Sequence, residues 1–132
     1  MRMRTKLALA GAGIATVGAA VGGIAVAADT TSTVQAPHAQ AAASVGPSGA
    51  VVQRTNTIAS VSKTGTGAYC VVLASSVDAA KAVPAATLST AAAWDSEVRV
   101  SRNSGACAAN SIRVTTGTDG APADQPFYLV IS

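Results

Sequence analysis

Apolar and charged side chains alternate strictly in Glu97-Val98-Arg99-Val100-Ser101. This is the period-two pattern of a strand with one face against a core and the other in water. Ile112 and Val114 against Arg113 and Thr115 repeat it. Ala68-Tyr69-Cys70-Val71-Val72-Leu73 and Phe127-Tyr128-Leu129-Val130-Ile131 are apolar on both faces, which predicts central strands buried on both sides. Turn residues separate these runs at short intervals: Gly65-Thr66-Gly67, Pro84, Asn103-Ser104-Gly105, Thr118-Asp119-Gly120, Pro122 and Pro126. The pattern predicts strands near 51–62, 68–74, 83–89, 96–102, 110–116 and 126–131. About six to seven short strands with such punctuation point to an all-β domain, a small β-sandwich of immunoglobulin-like or jelly-roll-like type. In the alanine-rich stretch 78–93 the expectation is one helical turn, capped by Asp78 and ended by Pro84, and then a strand. No segment repeats at a fixed period, which excludes solenoids and propellers.

The pattern fades before Val51. Residues 29–50 hold no Lys, Arg or aromatic side chain and show no period, so they read as a flexible linker or tail. Ahead of them, Arg2, Arg4 and Lys6 precede an uncharged run from Leu7 to about Ala25, and Ala25-Val26-Ala27 or Val26-Ala27-Ala28 offers small residues for cleavage. Residues 1–28 therefore read as an export signal peptide. The rival, a retained membrane anchor, fits poorly with five glycines in the run and with no basic residues directly after it. The expected product is one domain over 51–132, secreted and free of the membrane once the signal is removed.

Charge sharpens this picture. The formal net charge is +3, yet the surplus lies wholly in the first six residues; from Asp29 onward, six basic side chains face six acidic ones. With no basic cluster and no basic-aromatic interleaving in the mature chain, nucleic-acid binding is excluded. Near-zero charge also removes a barrier to self-association, so a homo-oligomer stays open. The mature chain is rich in alanine and poor in large apolar residues, so its core is thin. In an exported protein the two cysteines, Cys70 and Cys107, are then expected to form an intrachain disulfide.

Catalytic chemistry finds few candidates. The sole histidine, His38, lies in the linker, and no nucleophile elbow of the G-x-S-x-G type occurs. Asp95 and Glu97 on one strand face, and Asp119 and Asp124 in a turn region, are the only carboxylate pairs, and each has a plainer reading as solvated or turn chemistry. No CxxC spacing and no dense Asp/Asn loop point to a metal, and no phosphate loop or cofactor motif is present. The expectation is a protein that is not an enzyme and carries no cofactor. Trp94, the single tryptophan, has two readings: a core anchor, the commoner fate, or an exposed contact for a sugar or a protein.

The segments Gly67-Ala68-Tyr69-Cys70-Val71-Val72-Leu73, Cys107, Ile112-Arg113-Val114-Thr115-Thr116 and Ala123-Asp124-Gln125-Pro126-Phe127-Tyr128-Leu129-Val130-Ile131 resemble a diffuse group of small secreted actinobacterial β-domain proteins of uncharacterised function. The resemblance spans about residues 51–132 and implies a β-rich terminal module for adhesion or display, with no catalytic residues to carry over. The expected function is a non-catalytic binding or surface module whose partner is an extracellular protein or glycan. A small secreted inhibitor or a ligand-carrying apoprotein is the alternative, and a hydrolase stands further back.

Overall fold

A computed structural model of the chain describes residues 32–33, 36, 38–102 and 105–132. Residues 1–28, read above as an export signal, lie outside these, as do residues 29–31, 34–35 and 37 of the expected linker. Ten strands follow in order among the described residues: β1 (Ser32–Thr33), β2 (Ala41–Val45), β3 (Val51–Arg54), β4 (Ile58–Gly65), β5 (Ala68–Leu73), β6 (Pro84–Leu88), β7 (Ser96–Arg102), β8 (Ser111–Thr118), β9 (Ala121–Pro122) and β10 (Phe127–Ile131). They form two five-stranded sheets. One runs β4-β5-β8-β7, with β9 folded back on the end of β8; the other runs β1-β3-β2-β10-β6. Pairing is antiparallel throughout except for the two-residue contact of β1 with β3.

The core lies between the sheets. Tyr69, Val71 and Leu73 of β5 and Ile112 and Val114 of β8 meet Phe127, Leu129 and Ile131 of β10. The rings of Tyr69 and Phe127 stand 5.1 Å apart at 59°, a tilted contact between the two sheets that adds about 1 kcal/mol beyond area burial. Val98 and Val100 of β7 pack against this cluster, as their alternation predicts. The β-sandwich with one disulfide is thus the fold of the chain, with more strands than the pattern shows.

Four expectations need correction. The linker reading of 29–50 fails at Ala41–Val45, which is a buried strand hydrogen-bonded to both β3 and β10. Three successive alanines look alike on both faces, so no period betrays them; their partners on β10 place them. The long strand expected over 51–62 breaks at Thr55–Thr57, where the chain crosses from one sheet to the other. Strand β10 is central yet covered on one face only, because Tyr128 and Val130 are 46% and 40% exposed. In the stretch 78–93 there is a turn rather than a helix. The Asp78 carboxylate accepts from Ala80 N at 3.0 Å, and β6 starts at Pro84.

Asn110 holds the loop between β5 and β6. It has a φ of 61°, which asparagine tolerates better than most residues. Its Nδ2 donates to the carbonyls of Leu73, Ala74 and Val77 at 3.2, 3.2 and 2.9 Å, and its Oδ1 accepts from Ala79 N at 2.8 Å. Backbone groups of a long connection are thereby satisfied by one side chain.

Candidate functional site

The connection from β6 to β7 carries Trp94. It is built from two tight turns, closed by Ala92 N to Ser89 O at 3.0 Å and Ser96 N to Ala93 O at 3.2 Å. The Gln125 side chain accepts from Ala93 N at 3.3 Å and donates to Thr118 Oγ1 at 2.8 Å, and Asp119 N donates to the Asp95 carbonyl at 2.9 Å. The loop is therefore tied to the β8–β9 hairpin and to the entry of β10. At its tip the Trp94 side chain is 100% exposed. The core-anchor reading of this residue is overturned: the rings that fill the core are Tyr69 and Phe127, and Trp94 stands clear of them. Beside the indole is an open cavity of about 270 Å³ walled by Leu88, Ser89, Thr90, Ala92 and Ala93. Covering such a ring would remove apolar area from solvent, which makes the braced loop a candidate contact surface.

The carboxylates do not assemble a catalytic pair. Asp95 and Asp119 are exposed residues joined through backbone, and Asp119 has the positive φ of a turn, 54°. Glu97 lies 3.6 Å from Arg99 on the same strand face. Asp124 is a clamp: its Oδ1 accepts from Gly67 N at 2.6 Å and its Oδ2 lies 3.2 Å from Lys63 Nζ. No group of three or more His, Cys, Asp or Glu among the described residues could hold a metal ion. His38 is exposed. Cys70 and Cys107 are joined in a disulfide, with Cα atoms 5.6 Å apart. No helix of the described residues is long and apolar enough to cross a membrane.

The clamp carries a pH dependence. The Gly67 N–H, and after it Lys63, hold the Asp124 carboxyl below the usual carboxylate range. A depressed pKa gives stability that is full above the ordinary aspartate value of about 4 and is lost as pH falls through the lowered one. Thermal unfolding of wild type and Asp124→Asn against pH checks this. The gap between the two melting temperatures is expected to be constant above about pH 5 and to close in more acidic solution. A gap independent of pH would remove the carboxylate from the clamp. The Tyr69 hydroxyl, pushed above its ordinary pKa chiefly by burial, donates to Pro47 O at 2.7 Å and serves the core.

Sequence reasoning did not foresee the roles of Gly67, Asn110 and Gln125. Each acts through partners 30 or more residues away, as in Asn110 with Ala79 or Gln125 with Ala93. Comparison with known proteins finds no matching family model, no similar curated protein and no similar solved structure, so the reading of function rests on this geometry.

Proposed function

We propose that the protein is an exported, non-catalytic binding or surface module that meets an extracellular protein or glycan through Trp94. The observation that carries this reading is the full exposure of the only tryptophan on a loop braced by Gln125 and the β8–β9 hairpin. Exposing an indole is unfavourable in water, and a braced loop loses little entropy when a partner covers it. The disulfide and the signal-like residues 1–28 support a location outside the cytoplasm.

Because Trp94 is the single tryptophan, the fluorescence of a selectively excited indole reports on this loop alone. The free protein is expected to show the emission of a solvated indole. Titration with a panel of soluble and cell-wall polysaccharides, and with purified extracellular proteins, is expected to shift that emission to the blue for the true partner. Trp94→Ala should leave the unfolding free energy within the range of a neutral surface change, about 0.5 kcal/mol. It should weaken binding by at least about tenfold, as for an aromatic at the centre of an interface. Undiminished binding by the Trp94→Ala protein would sink the assignment.

A further inference from the structure

A second surface feature, on a different element, points to a ligand of defined chemistry. Strand β8 lies within its sheet between β5 and β7, and Arg113 stands opposite Cys70 on one side and Ser101 on the other. Three of the four arginines in the described chain have partners. Arg54 donates to the carbonyls of Ile58 and Ala59, Arg102 to those of Ala80 and Ala82, and Arg99 pairs with Glu97. Arg113 is the exception. It is half-buried, its Nε is closed to solvent without an acceptor, and among the described residues no hydrogen bond or ion pair ends on its guanidinium. A guanidinium that is partly desolvated and unpaired is destabilising in the free protein and is the group best suited to receive a planar oxyanion.

Arg113 lines an open groove of about 210 Å³ together with Arg99, Glu97 and Thr115. Its floor is kept low by Gly117, where a Cβ would come within 2.7 Å of the Ala121 carbonyl oxygen. Arg99 lies opposite Thr115, two residues along β8 from Arg113, so the two arginines are diagonal neighbours on one sheet face. Such neighbours have Cα atoms about 7–8 Å apart, near enough for long side chains to share a ligand. Two guanidiniums against the single carboxylate of Glu97 leave the groove with one net positive charge.

We propose that this groove binds a carboxylate-bearing ligand, held by Arg113 and by Arg99. A net charge of one matches a monoanion better than a dianionic phosphate, and Glu97 at the groove wall repels the second charge. The volume suits a single acidic sugar or the terminal residue of a peptide, with Thr115 offering a hydroxyl to the rest of the ligand. The site is independent of the Trp94 reading, since it rests on other residues and on another observation.

The test is isotope-edited NMR of the protein titrated with two matched pairs of probes. One pair is a trigalacturonate and its methyl ester; the other is acetyl-trialanine with a free or an amidated terminus. At least one free acid is expected to bind and to move the amide signals of Thr115 and Gly117 rather than those of Ala93 and Trp94. Its uncharged twin and inorganic phosphate are expected to bind at least about tenfold more weakly. Which acid binds tells a sugar source from a peptide source. Arg113→Met is expected to lose the binding and its salt dependence while keeping or raising the melting temperature, because it removes a buried donor with no acceptor. Arg99→Gln provides a second variant, expected to weaken the same acid. No binding of either acid at about 10 mM, tighter binding of phosphate, or undiminished binding by both variants would overturn the proposal.

Discussion

Gly67→Ala is expected to unfold the domain or leave it barely folded at ambient temperature. Gly67 turns the chain from β4 into β5 with a φ of +64°, a left-handed conformation that disfavours a side chain by about 1–2 kcal/mol. That strain is the smaller part. A Cβ here would collide with the Thr116 carbonyl oxygen and come within 2.9 Å of both the nitrogen and the carbonyl oxygen of Ala123. All three are backbone atoms, so no side chain can swing aside. The same glycine donates to Asp124 and accepts from Thr116 N at 2.8 Å. Thr116 in turn is buried, and its Oγ1 donates to Ala123 O at 2.6 Å and accepts from Gln125 N at 3.2 Å. Moving the β4–β5 turn outward therefore breaks a network that joins it to β8 and to the lead into β10.

Loss of two or three such bonds, added to the strain, amounts to at least about 4 kcal/mol, against a total stability of roughly 5–15 kcal/mol. Urea unfolding of a graded series measures it. Gly65→Ala, with nothing within 4 Å of its new Cβ, is expected to be neutral. Gly120→Ala, in open space but at a φ of +80°, is expected to lose about 1–2 kcal/mol for backbone strain alone. A Gly67→Ala midpoint close to that of Gly120→Ala would show that the backbone collision relaxes.

The strands that could be read from the chain are those whose signal is local. In β7 and β8, valine or isoleucine alternates with charge or threonine, and the period alone places Val98, Val100, Ile112 and Val114 inward. The disulfide was legible too, from two cysteines in a thin-cored chain. What stayed hidden depends on partners. Ala41–Val45 is a strand because Ile131 through Phe127 pair with it residue for residue, a fact absent from an alanine run. For Trp94 residue type alone leaves two readings and tilts towards the core, since a lone tryptophan in an aromatic-poor chain is most often buried; its exposure removes that one. Tyr69 and Phe127 already fill the space between the sheets, and the loop after β6 is too tightly turned to return its tip to them. The unpaired state of Arg113 is likewise invisible in sequence, where it reads as the wet side of an alternating strand. The candidate surfaces were thus the least legible part, because exposure and lack of a partner are properties of the packed molecule.

Reduction of Cys70–Cys107 is expected to be the other large effect. The bridge spans 37 positions, from the middle of β5 to the loop between β7 and β8. On the chain-entropy model, a closed loop of that length stabilises the folded state by roughly 4 kcal/mol, a large share for a domain whose central strand β2 contributes mainly alanines. Reduced protein should therefore melt about 15 °C or more below the oxidised form, and mass spectrometry should show the oxidised form two hydrogens lighter. The two cysteines are not equivalent. Cys107 lies half-buried in the loop, whereas Cys70 is only 4% exposed between Ser62 and Arg113. Cys107→Ser should thus match reduction, leaving a buried thiol on β5 that packs as a small apolar group. Cys70→Ser also loses the bridge and puts a hydroxyl into that buried position, which adds about 1–3 kcal/mol unless a partner accepts it. The expected order of stability is wild type, then Cys107→Ser, then Cys70→Ser. Equal melting temperatures for oxidised and reduced wild type would mean that the sheets need no staple, and the thin-core argument would fall with it.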